Sequence, residues 1–222
     1  MTYELSWISG SPNAWRAMLA MEMKGLDYVS HRLDPSKREH KSPEHLALNP
    51  RGKVPVLKDG DFVIYESIAV LAYLERKHPE PPLFGTNPKE TGLIWQRIFE
   101  VMNYGRDAIN NGVVRPLIRG QATSASEAIK TAAKDVHNDL AWLNQILADT
   151  PYLAGNKVSA ADVTYVPIIQ GLKRAGRRND AVGLSLNLDN VDALYPNIAA
   201  WIGRMEDLPG YDRAYPPHWR DG

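Results

Sequence analysis

A chain of 222 residues, 44% of them hydrophobic, has enough apolar material for one large or two small domains. Lys plus Arg and Asp plus Glu both number 26, so the net charge is zero and no global field draws the chain to nucleic acid or an anionic membrane. There is no cysteine, which excludes a protein disulfide, a Cys-ligated zinc and any mechanism using a protein thiol; a reactive thiol has to come from a ligand.

The N-terminal stretch MTYELSWISG carries Glu4 and too short an apolar run for a signal peptide, and no run approaches the ~18 residues of a membrane span. A cytoplasmic protein with a small-molecule partner is expected. A strand is predicted near 3–8, then a sharp turn at Gly10, and a helix near 12–24. Ser11 followed by Pro12 reads as a helix N-cap with proline at the first helical position. Whether the Ser11 hydroxyl only caps or also works in a site is open at this point. A second strand is predicted near 27–33, and then a polar stretch, DPSKREHKSPEH.

Two apolar runs, NPRGKVPVL and KDGDFVIY, are separated by Asp59-Gly60 and predict an antiparallel hairpin. Pro55 sits at the start of the first run, where its missing amide calls for an edge strand or a special turn. A proline there, cis or trans, leaves the backbone of Val54 free to pair with an extended ligand. Glu66 and Ser67 open a helix whose third position is Val70, so no reciprocal capping box forms. The amides and hydroxyl at that N-terminus suit a ligand carboxylate and Glu66 suits an ammonium, against the alternative of an ordinary cap.

Residues 79–89, PEPPLFGTNPK, read as a linker between a βαβ, irregular, ββα domain at 1–78 and an all-α domain at 90–222. In the latter, Ile129, Ala133, Val136, Leu140, Leu143 and Leu147 form a helical stripe, and Ser159 with Asp162 resembles a capping box. KRAGRR at 173–178 reads as a solvated basic face. The six histidines contain no i, i+4 pair and no HExxH, Gly52-Lys53 lacks the rest of a phosphate loop, and no GxSxG occurs. No metal is expected.

Taken in order, SGSPNAWRAMLAMEMKGLDY, EHKSPEHLALNPRGKVPVL, YESIAVLAYLE and GNKVSAADV resemble the cytosolic glutathione transferases over essentially the whole chain. The resemblance implies an N-terminal thioredoxin-like domain of order βαβαββα, an all-α C-terminal domain, and a homodimer. It implies glutathione as co-substrate, and Ser11 as the hydroxyl facing its sulfur, as in the serine-type delta, theta and zeta-like classes. Val54 and a cis-Pro55 would hold the cysteinyl backbone, Glu66 and Ser67 the γ-glutamyl end, and Lys53 and His40 would lie near the glycyl carboxylate. Asp162 resembles the family's buried folding residue.

The implied activity is conjugation of small hydrophobic electrophiles. Alternatives are a β-aryl etherase, a dehalogenase, an isomerase or a non-catalytic interaction module. The zeta-type isomerases carry Ser-Ser-Cys where this chain has Ser11-Pro12-Asn13. Met102, Tyr104, Tyr165, Tyr211, Tyr215 and Trp219 are candidates for the acceptor pocket, with Arg115, Arg119, Arg174 and Arg177 available to an anionic substrate.

Overall fold

The computed structural model describes residues 2–220. In chain order the first unit holds β1 (Tyr3–Trp7), α1 (Pro12–Met23), β2 (Tyr28–Arg32), α2 (Pro43–Leu48), β3 (Val56–Asp59), β4 (Phe62–Tyr65) and α3 (Ser67–Lys77). This is the expected βαβαββα order. The sheet runs β2-β1-β3-β4, with β1 and β2 parallel and the other two pairs antiparallel.

Alternation along β1 buries Tyr3, Leu5 and Trp7, and Leu5 pairs with Leu57 at the centre of the sheet, both fully buried. Each such side chain contributes about 1.5–3 kcal/mol by leaving water. Of the two settings expected for Pro55, an edge strand or a special turn, the structure has the turn, through a cis Val54–Pro55 peptide before β3. β3 is internal, and Pro55 is tolerated because it stands immediately before the first ladder pair, Val56 with Ser6. The hairpin loop is one residue later than predicted. Asp59 still pairs with Phe62, and its carboxylate is held by Tyr73 and Lys77, so the connection is Gly60–Asp61.

The helical unit holds α4 (Pro88–Glu100), α5 (Arg115–Ile118), α6 (Ser126–Asp149), α7 (Ala160–Gly176), α8 (Asn179–Val182), α9 (Val191–Leu194) and α10 (Pro196–Glu206). Between α4 and α5 the helix continues with widened, π-type turns over Val101–Gly105 and Asp107–Val114. Gly112 lies there against Ala132 of α6, so close that a β-carbon would overlap it. The predicted stripe on α6, from Ile129 to Leu147, is buried throughout. Asp162 is fully buried and accepts from Leu153 N, Ser159 N, Ser159 Oγ and Trp201 Nε1, all at 2.8–2.9 Å. Burial pushes its carboxyl upward against those four donors. The basic run is less solvated than predicted, for the Lys173 side chain is mostly buried and paired with Asp192 at 2.7 Å.

Two compact units divide the chain, one reaching to Leu83 and including the segment from Asp207 onward, the other Phe84–Glu206. The C-terminal tail departs from the expectation of one domain over 90–222, because α11 (Tyr211–Ala214) and the residues after it fold with the first unit. No described helix is long and apolar enough to cross a membrane.

The ends of α1 and α3 are joined by Lys24, whose side chain is wholly buried. Its ammonium donates to Glu75 Oε2 at 2.8 Å, the His78 carbonyl at 2.7 Å and the Pro81 carbonyl at 2.8 Å. Glu75 in turn accepts from Leu83 N, tying down the end of the unit. Replacing Lys24 by Met takes the buried cation from the Glu75 carboxylate and the donor from two carbonyls, and is expected to cost about 3–5 kcal/mol in urea unfolding. Replacing Glu75 by Leu as well should recover only the part due to the uncompensated carboxylate, because Leu83 N then loses its acceptor.

Candidate active site

Three segments meet at one end of the sheet. β1 ends at Trp7, and the chain reverses through a β-turn closed by Ser11 N donating to the Ile8 carbonyl at 3.1 Å. Ser9 and Gly10 are its middle residues, and Gly10 adopts φ +80°, a conformation that favours glycine. Continuing the β1–β3 register by two residues sets Val54 level with Ile8. Continuing β3–β4 by one sets Pro55 level with Glu66. The loop before β3 and the start of α3 therefore flank the turn that delivers Ser11.

Ser11 is the N-cap of α1, half-buried, with its Oγ accepting from Ala14 N at 3.3 Å. Capping uses a lone pair of the oxygen; the hydroxyl proton has no acceptor among the described residues. The first turn of α1 carries no acidic side chain, so the positive end of the helix dipole is not offset by one. An anion placed against this turn meets both a hydroxyl donor and that dipole.

The Val54–Pro55 peptide is cis. Neither the N–H nor the C=O of Val54 bonds to another described residue, which is the free backbone position expected from the proline. The loop before it is rigidly held. The Lys53 carbonyl accepts from His45 Nε2 and Asn49 Nδ2, both at 3.0 Å, and both side chains are buried. Gly52 packs so closely on the backbone of His40 and the side chain of Lys41 that no β-carbon fits. His40 is thereby brought next to Lys53. The His40 ring is half-buried, its Nδ1 unpartnered among the described residues, and desolvation, followed by the charges of Lys41, His45, Lys53 and Arg38, holds its pKa below the ordinary histidine value.

Glu66 is exposed and sits at φ +70°, a strained position for a residue other than glycine, and no side chain caps α3 behind it. Ser67 is buried, and its Oγ accepts from Arg16 Nη1 at 3.4 Å. Arg16 is fully buried and also donates to Asn13 Oδ1 at 2.8 Å. A guanidinium thus lies beneath the α3 N-terminus, where it favours a carboxylate. Arg16, Asn49 and His45 are not among the residues that the sequence singles out. The available signal is a single arginine inside the apolar run of α1, which has to face a polar partner if the helix is buried.

The aromatic candidates separate into two groups. Tyr104 and Tyr165 line a cavity of about 290 Å3 in the helical unit, with Glu100, Asp139 and Trp142, and burial pushes the Tyr165 phenol well above its usual range. Tyr211, Tyr215 and Trp219 instead surround Trp15 in the first unit, with ring centroids 5.4–5.8 Å away. Met102 does not line that cavity. Arg177 is paired with Asp192, and Arg115 donates to Asn111. No cluster of three metal-ligating side chains occurs among the described residues.

Residues 10–77 match the family model described as Glutathione S-transferase, N-terminal domain, and residues 124–204 that of Glutathione S-transferase, C-terminal domain. The chain is 31% identical to glutathione S-transferase A of Pleuronectes platessa, over 97% of this chain and 92% of that one. It is 30% identical to a maleylacetoacetate isomerase of Pseudomonas aeruginosa over 77% of this chain and 82% of that protein. The crystal structure of a glutathione S-transferase from the Antarctic clam Laternula elliptica superposes with a TM-score of 0.85 at 31% identity, covering 100% of this chain and 95% of that one.

Because the cap bond of Ser11 is long, Ser11→Ala is expected to cost only about 0.5–1 kcal/mol of stability in urea unfolding. The variant should therefore stay folded and be usable for functional measurement.

Proposed function

The chain belongs to the glutathione S-transferase family, and on that premise we propose that it is a serine-type member in which Ser11 activates the thiol of bound glutathione. The enzyme conjugates glutathione, its co-substrate, to electrophiles. The observation that carries the reading of Ser11 is its divided hydroxyl, with the oxygen engaged by Ala14 N and the proton without an acceptor among the described residues, at a helix N-terminus lacking acidic side chains. A free thiol of pKa ~8.5 is about a tenth ionised near pH ~7.5, and each unit of lowering takes ~1.4 kcal/mol. One hydroxyl donated to a thiolate contributes about 1.5–3 kcal/mol, and the helix end about 0.3–1 kcal/mol. Together these suffice for a shift of about one to three units, on the order of what the chemistry requires.

In this reading Val54 pairs its N–H and C=O with the cysteinyl residue beside cis-Pro55, as an added strand would. Ser67 and the α3 N-terminus, backed by Arg16, receive the γ-glutamyl carboxylate, and Glu66 its ammonium. Lys53 and His40 hold the glycyl carboxylate. The thiolate sulfur then attacks a small hydrophobic electrophile. A sulfur–carbon bond forms while a leaving group departs with its electron pair, or an addition product takes a proton from solvent. The protein contributes ionisation and proximity.

We also propose a homodimer, supported by the exposure of Phe99, Tyr104 and Trp142 on the helical unit. Sedimentation is expected to give about twice the 24.8 kDa of the chain, and a monomer would overturn this.

The ultraviolet absorbance of the thiolate, followed against pH with glutathione bound, tests the central claim. The bound thiol should titrate at least about one unit below its free value in the wild type, and return toward ~8.5 in Ser11→Ala with affinity retained. An unshifted thiol in the wild type, or an equal shift in Ser11→Ala, overturns the assignment.

A further inference from the structure

The segment after α10, which the sequence assigns to the helical domain, lies along α1. Gly210, at φ +81°, packs against Glu22 so tightly that a β-carbon would meet the Glu22 side chain at 2.6 Å. Arg213 pairs with the same Glu22. One to two turns further back along α1, Tyr211, Tyr215 and Trp219 enclose Trp15. The segment then ends on the turn before the helix. His218 Nδ1 is 2.7 Å from Ser9 Oγ, and a β-carbon on Gly10 would lie 3.0 Å from the His218 ring and 3.4 Å from Trp219 Nε1.

Ser9 and Gly10 are the two middle residues of the turn that delivers Ser11, and Trp15 is one helical turn beyond it. The tail therefore grips Ser11 from both sides in the sequence without occupying its hydroxyl. A cap bond of 3.3 Å is a weak restraint on the Ser11 side chain, so the orientation of its proton depends on the turn beneath it. An anion-stabilising donor loses its value when misplaced by about an ångström.

We propose that His218 is a positioning residue for Ser11, which by its hydrogen bond to Ser9 fixes the Ile8–Ser11 turn in the geometry that directs the Ser11 hydroxyl at the thiolate. This rests on the reading of Ser11 as the activating donor. The contribution of His218 is structural and local, and it needs the ring nitrogen at the Nδ1 position, not a charge. Asparagine presents a polar atom at that same position on a shorter side chain; alanine presents none.

The test uses the full chain with glutathione bound, and reads the thiolate absorbance against pH in Ser9→Ala, His218→Ala, His218→Asn and the Ser9→Ala/His218→Ala double variant, with Ser11→Ala as reference. Each alanine variant should raise the bound thiol pKa by about half a unit to one unit, lower kcat by about 3- to 10-fold at pH ~6.5, and change KM for glutathione less than about twofold. The double variant should be no worse than either single one, because both remove the same bond. His218→Asn should restore most of the wild-type value. His218 is exposed and Ser9 half-buried, so these variants keep their folded cores.

Thiol pKa values unchanged in both alanine variants, equal values for His218→Asn and His218→Ala, or additive losses in the double variant would overturn the proposal. If Ser11→Ala moves the thiol pKa and His218→Ala does not, only the role of His218 falls. If Ser11→Ala itself leaves the pKa where it was, the assignment of Ser11 falls and that of His218 with it.

Discussion

The functional end of the first unit is set by where its sheet stops pairing. Pro55 brings no amide, so the ladder to β1 begins at Val56, and the residue before the proline keeps both of its backbone groups. An unpaired peptide on an internal strand is costly unless something else completes it. The neighbouring connections present the same kind of incompleteness. α1 and α3 both begin at this end with amides that no acidic side chain answers, and Ser11 supplies a proton without an acceptor among the described residues. In the proposed reading, these unanswered groups, with the Glu66 carboxylate beside them, are what an extended, anionic peptide would complete.

The two buried cations of α1 illustrate how one helix serves both stability and binding. Lys24, at its C-terminal end, is neutralised by Glu75 and saturated by two carbonyls, and it offers nothing to a ligand. Arg16, eight residues earlier, donates to the neutral oxygens of Asn13 and Ser67. Its guanidinium therefore reaches the start of α3. A chain with no net charge offers no global field to a small anionic ligand, which has to be recognised by local groups such as these.

Much of this is legible in the sequence wherever the determinant is local. Ser11-Pro12, the α6 stripe, the Ser159–Asp162 box and the element order each depend on residues within a few positions of one another, and each forms. Open alternatives and errors arise where a distant partner decides. Pro55 leaves an edge strand and a special turn open, and only the pairing of Val56 with Tyr65 decides for the turn. The hairpin loop moves by one residue because Tyr73 and Lys77 of α3 hold Asp59 in the strand. The tail gives no warning at all. Its elements are four and three residues long, too short for a periodic signal, and its partners Ser9, Trp15 and Glu22 lie roughly two hundred positions earlier. Arg16 is visible as an anomaly, but its partner Ser67 is not.

The return of the tail to α1 also has a consequence for how the protein is made. The chain emerges from the ribosome from its N-terminus, so β1 to α3 can assemble while the helical unit is still being synthesised. The contacts of Arg213, Trp219 and His218 with the first unit span almost the whole sequence, and are the last to become available. The thioredoxin-like unit is therefore finished only after the helical unit has been synthesised. The Ser9–Gly10 turn, made among the first residues, thus receives its contacts from His218 and Trp219 only after the helical unit that separates them in the chain.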